Sequence, residues 1–157
     1  MRLEFNALPS DVVEAIHHTG LDSYGDPVER HPSAELDGMP CRHCLQNVPE
    51  GAPYLALPHR PFRSRNPFAE TGPIYLCADM CTRAAPTEVP PTVLQADAYI
   101  LRGYSATERI VYSTGAVIPR AKLTDYAAEL LARPEVAFVD LRSASNNCFL
   151  CRIHSAD

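Results

Sequence analysis

The chain has 157 residues, a length that suits one domain spanning 1–157 with a core of moderate size. Apolar residues make up 46% and charged residues 21%, with 15 prolines and 7 glycines spread throughout, so the composition is globular with long irregular connections rather than disordered. The formal charge of −5, with no basic helix or Lys/Arg-rich tail, leaves nucleic acid without an electrostatic footprint, and no apolar run reaches the roughly 18 residues of a membrane span.

The opening MRLEFNALPSDVVEAIHH has neither an apolar core nor a small-residue cleavage site, so it reads as mature sequence and a cytoplasmic location is expected. Six cysteines there are expected as free thiols, metal ligands or redox groups. Leu3 and Phe5 alternate and predict a short strand. Ser10 as N-cap, Asp11, Val12 with Ile16 one turn on, and Gly20 as a stop predict a helix. Residues 21–40 carry charge, Pro and Gly without a period, which predicts a long loop or irregular strand. APYLALPH (52–59) and GPIYLCAD (72–79) are short apolar runs bounded by Pro or Gly and predict strands. The stretch between them, HRPFRSRNPFAETGP, holds three arginines and reads as an exposed arm or a site-forming loop.

After the proline-rich 86–93, DAYILRGYS (97–105) predicts a strand and ERIVY (108–112) a second extended piece. Leu123, Tyr126, Ala127, Leu130 and Leu131 fall at helical spacing before Pro134. EVAFVDLR and NCFLCRIH then predict two strands joined by the polar SASNN. This order predicts an α+β fold: a mostly antiparallel sheet with two main helices on one face. Strand, helix, strand, strand recurs in each half, which raises a duplicated ferredoxin-like arrangement, although no residue-level repeat accompanies it.

Cys41 and Cys44 form a Cys-x2-Cys pair on a turn, and three readings stand for it: plain packing, half of a metal site, or a redox pair. A closed zinc site takes four thiolate or imidazole ligands in a tetrahedron, and Cys77 and Cys81 supply a second half from a strand end and the following loop. Zinc is the cofactor such a set implies. In the redox reading, Arg42 and His43 favour a thiolate, yet Pro49, Glu50 and Gly51 leave no room for the helix that a thioredoxin-like motif opens. Cys148 and Cys151 point to opposite faces of a regular strand, and Phe149, Cys151 and Ile153 read as one core row.

Arginines on apolar strands call for carboxylates or a bound anion. Arg102 and Tyr104 share a face of one strand, and with Arg152 of another they are expected to line a pocket for a small anion. Arg142, at a strand end, joins the ligand-binding set. Asp140, Glu108 and Asp97 are the partners available within the chain. No catalytic serine context, zincin spacing or phosphate loop occurs; Cys81 with His59 is the one thiol–imidazole pairing to weigh. Phe62 and Phe68 on the arm suit either an interface or a loop that seals the sheet.

The strings PCRHCL, GAPYLAL, RPF, ETGPIYLCADMC, YILRGYSATERIVY and VAFVDLRSASNNCFLCRI together resemble the bacterial family known as domain of unknown function 1203, from about Pro40 to His154. The resemblance implies a small single-domain protein and no established activity; Arg102, Tyr104, Arg109 and Arg152 match its recurrent polar positions, which adds Arg109 to the ligand-binding set. The functional expectation is non-catalytic binding of a small anion or metabolite. The alternatives are a zinc-stabilised structural or protein-interaction domain on Cys41, Cys44, Cys77 and Cys81, and a thiol-dependent redox or hydrolytic enzyme.

Overall fold

Leu3 and Phe5 alternate with half-exposed neighbours in β1 (Leu3–Asn6), as a strand with one buried face requires. The computed structural model describes residues 1–35 and 38–157. Helix α1 (Ser10–Thr19) starts after Pro9 and stops at Gly20, whose φ of +65° lets its N–H reach the Ile16 carbonyl at 2.8 Å. Ser10 is the first helical residue rather than the cap. Its hydroxyl reaches His43 instead.

The segment 21–40 contains one short strand, β2 (Glu29–His31), amid turns; Leu36 and Asp37 lie outside the described residues. β2 pairs with β3 (Tyr54–His59), which pairs in turn with β4 (Gly72–Cys77), giving an antiparallel sheet in the order β2-β3-β4. A second antiparallel sheet is built from β5 (Ala98–Tyr104), β6 (Ala116–Pro119), β7 (Phe138–Ser143) and β8 (Phe149–Ser155) together with β1, in the order β1-β8-β7-β5-β6. Between β6 and β7 runs α2 (Leu123–Leu131), preceded by a single 3-10 turn, Arg120–Lys122.

The α+β class and the antiparallel pairing match the sequence reading, but the single sheet and the duplicated halves do not. β1 leaves the first half to pair with β8 at the other end of the chain, so the two halves share no common unit. The helices also serve different cores. α2 buries Leu123, Ala127, Leu130 and Leu131 against Leu101, Val139, Leu141 and Ile153 of the five-stranded sheet, whereas α1 buries Val13 and Ile16 among Leu55, Leu57, Ile74 and Leu76 of the three-stranded one. ERIVY forms no strand: Glu108 takes φ +59°, which turns the chain, and Ile110 keeps one isolated bridge to Tyr104.

Strand alternation puts Arg102, Tyr104, Asp140, Arg142 and Arg152 on the face of the five-stranded sheet turned away from α2. A bulge sets the facing at β8. Leu141 opposes Cys151 while Arg142 opposes Phe149, so Leu150 is an extra residue. Phe149 therefore leaves the expected row with Cys151 and Ile153 and enters the core of the three-stranded sheet. The arm after β3 folds back over the same face, with Phe62 buried beside Tyr104 and Phe138. Among the described residues no helix is long and apolar enough to cross a membrane.

Candidate metal centre

The Cys41–Cys44 turn is closed by its own backbone. The Leu45 N–H donates to the Cys41 carbonyl and the Cys41 N–H to the Gln46 carbonyl, each at 2.9 Å. Leu45 takes φ +51° to make the bend. The turn is then fastened to β4, where the Arg42 N–H meets the Tyr75 carbonyl at 3.1 Å, and to the strand–helix junction, where the Leu8 N–H meets the Arg42 carbonyl at 2.9 Å. Cys77 is the last residue of β4, and Cys81 follows in the loop beyond.

These elements bring the four Sγ atoms within 4.8 Å of one another. Cys41 and Cys81 lie 3.8 Å apart, and Cys44 and Cys77 lie 3.9 Å apart. Zinc–sulfur bonds of about 2.3 Å in a regular tetrahedron set sulfur–sulfur edges of about 3.8 Å. The cluster therefore has the dimensions of a tetrathiolate metal site, and all four cysteines are free. The Cys77 N–H also points at Cys41 Sγ, 3.3 Å away.

Four thiols packed this closely compete for one negative charge. Hydrogen bonds from Cys44 and Cys77 hold the Cys41 thiol far below its ordinary range. Cys77, which donates to Cys41 and Cys44, is pushed far above it, and burial followed by the charges at Cys41 and Cys44 pushes Cys81 up to about 12. A bound dication resolves this conflict, because it lets all four sulfurs carry charge.

The two residues inside the turn complete the surroundings. His43 is fully buried, with Nδ1 3.2 Å from Cys81 Sγ and Nε2 2.9 Å from Ser10 Oγ. Burial holds its pKa below the usual histidine value, so the ring is neutral. With Cys81 bound to a metal as thiolate, Nδ1 would carry the proton and donate to sulfur while Nε2 accepts from Ser10. Arg42 is 3% exposed and stays cationic, with a pKa lowered only to about 10 by burial. It donates to the carbonyls of Phe149 at 2.7 Å and Pro40 at 2.6 Å and meets no carboxylate among the described residues. Its bond to Phe149 ties the turn to β8, and its guanidinium lies over the Tyr75 ring of β4, 5.9 Å from the centroid.

The expected anion-binding residues have partners within the chain. Arg102 Nη1 lies 3.1 Å and Arg142 Nη2 3.0 Å from the two oxygens of Glu70, and Arg102 also reaches the Tyr104 hydroxyl at 3.5 Å. Arg152 forks onto the fully buried Asp140 at 2.7 and 3.0 Å. Arg109 lies over the Phe68 ring, 5.5 Å from its centroid, on the folded-back arm. Glu70 is the member that sequence reasoning did not assign to these sites; that reasoning placed His43 and Arg42 beside the cysteines only in the redox reading. The histidine beside Cys81 is His43, not His59, which sits at the opposite end of the β3–β4 hairpin. Cys151 lies buried in the α2 core and Cys148 bonds to the Asn146 carbonyl, both outside the cluster.

A family profile described as protein of unknown function (DUF1203) matches residues 38–155, which include all four clustered cysteines. No curated protein and no solved structure matches significantly.

Proposed function

The chain belongs to the DUF1203 family, whose description names no activity, and from the geometry of its own residues we propose that it is a zinc-stabilised structural domain. One zinc ion is held by Cys41, Cys44, Cys77 and Cys81. The observation that carries this reading is the set of four Sγ atoms with 3.8 and 3.9 Å edges, the spacing of a tetrathiolate.

The role follows from the ligand set. Four protein ligands fill a tetrahedron and leave no position for water or substrate, which favours a structural over a catalytic metal. The ion ties the turn at 41–44 to the end of β4 and to the loop after it. That loop has no regular structure from 78 to 97, yet it spans both sheets, with Ala84 bonded to the His43 carbonyl and Thr87 paired with Phe5 of β1. Metal binding thus supplies folding free energy where backbone ladders are sparse, with apparent values of about 10–16 kcal/mol known for structural zinc peptides.

The test is thermal unfolding of chelator-free protein before and after treatment with a strong zinc chelator. A fall in melting temperature on the order of 10 °C or more, reversed by zinc and not by magnesium, is expected. An unchanged transition after demonstrated metal removal overturns the reading.

A further inference from the structure

A cleft of about 590 Å³ opens beside the arm, on the side of the molecule where α1 begins, and its lining reverses the charge of the chain as a whole. Four arginines (Arg60, Arg63, Arg83 and Arg152) contribute to it against one carboxylate, Glu108, in a protein whose formal charge is −5. Glu108 is already engaged, accepting the backbone N–H groups of Arg63 at 3.0 Å and Ser64 at 2.6 Å. The walls are aromatic and aliphatic: Phe62, Phe138 and Phe149, with Leu8 and Val12.

The arginines are held in place with donors to spare. Arg152 stacks 3.8 Å from the Phe138 centroid and 5.2 Å from that of Phe62, and Asp140 fixes its Nε and Nη2. Its Nη1 makes no hydrogen bond among the described residues. Arg60 Nε is buried and likewise without a partner. Arg83 is anchored through the carbonyls of Ala7 and Leu8. His59 lines the same cleft, held neutral to about 4 by burial and then by the Arg60 and Arg152 charges. A converging set of fixed, under-used guanidinium donors recognises a carboxylate through paired N–H groups. Apolar walls and a volume within the ordinary range for small ligands ask for a hydrophobic body behind that head.

We propose that this cleft binds a small amphipathic carboxylate, its head on Arg60 and Arg152 and its apolar body against Phe62, Phe138 and Phe149. The inference is independent of the metal, since none of the four clustered cysteines lines the cleft.

Calorimetric and NMR titrations of the protein as purified test it, with octanoate and 3-phenylpropionate as ligands. Acetate, the matching alcohols and inorganic phosphate are the controls. Both amphipathic carboxylates are expected to bind with a Kd at least about tenfold below every control. Arg60→Met, which keeps the apolar stem, weakens them about tenfold or more, and Arg65→Met, exposed and outside the cleft, leaves them unchanged. Ala106→Glu, an exposed change at the cleft wall, weakens them similarly by repulsion and decides the matter if Arg60→Met fails to fold. Absence of saturable binding, alcohols or phosphate equal to the carboxylates, or affinity unchanged by Ala106→Glu overturns the proposal.

Discussion

The imidazole of His43 joins Cys81 to the first residue of α1, with Nδ1 3.2 Å from Sγ and Nε2 2.9 Å from the Ser10 hydroxyl. Hydrogen bonds to ligand sulfur orient the ligand and spread its charge, and loss of such partners commonly costs ten- to a hundredfold in metal affinity, roughly 1.4–2.7 kcal/mol. His43→Phe keeps the buried volume and removes both bonds. Competition against a chromophoric chelator is predicted to show zinc affinity reduced by about one to two orders of magnitude, with one zinc still bound per chain. Ser10→Ala, which removes only the orienting bond, has a smaller effect.

Arg42 fastens the cysteine turn to β8 through the Phe149 carbonyl. Arg42→Met keeps the stem but leaves the Phe149 and Pro40 carbonyls without their donor. Denaturant unfolding of the zinc-loaded protein is predicted to show a loss of about 2–3 kcal/mol. Zinc affinity falls in parallel. Arg133→Met serves as the control, because its 3.9 Å pair is with the exposed Glu129, and surface pairs contribute about 1 kcal/mol at most.

Much of the fold was legible in the sequence, and the misses have definite causes. Periodicity located both helices, because Val12 to Ile16 and Leu123 to Leu131 sit in amphipathic runs closed by Gly20 and Pro134. β6 escaped notice because it is a short edge strand with a half-exposed Ala116–Pro119 pattern and a terminal proline. The division into two sheets rests on β1 pairing with β8, a contact across the whole chain that no local pattern encodes. One bulged residue, Leu150, sent Phe149 to the opposite face. The cysteine spacing did single out the four residues that cluster. Convergence of the pairs was not readable, nor was Glu70 as the common partner of Arg102 and Arg142, since both depend on how loops fold back onto the sheets.

The Asp140–Arg152 pair belongs to the fold as much as to the cleft. Arg152→Met strands a fully buried carboxylate, with a predicted cost of about 3–5 kcal/mol in urea unfolding. The double variant Asp140→Leu with Arg152→Met recovers most of that loss. Equal losses in single and double variants would show that packing around the aromatic rings, rather than the stranded charge, carries the effect.

His59 gives stability a pH dependence. The folded chain keeps it neutral until about pH 4, through burial and the neighbouring Arg60 and Arg152, whereas the unfolded chain takes its proton near 6.5. The unfolded state binds more protons between those values, so stability falls as pH drops from 6.5 toward 4, by an amount on the order of 3 kcal/mol. Below about 4 both states are protonated and this contribution is exhausted. Urea titrations at pH 7 and 4.5 are predicted to show a smaller loss in His59→Gln than in the parent. Zinc release at the lower pH affects both proteins alike.

The central claim is the tetrathiolate. Protein purified without chelator or added metal is analysed for metal content and by X-ray absorption at the zinc edge. The account predicts close to one zinc per chain in a shell of four sulfurs at about 2.3 Å. Metal far below stoichiometry, iron in place of zinc, or a first shell containing nitrogen or oxygen in place of one or more sulfurs would contradict it.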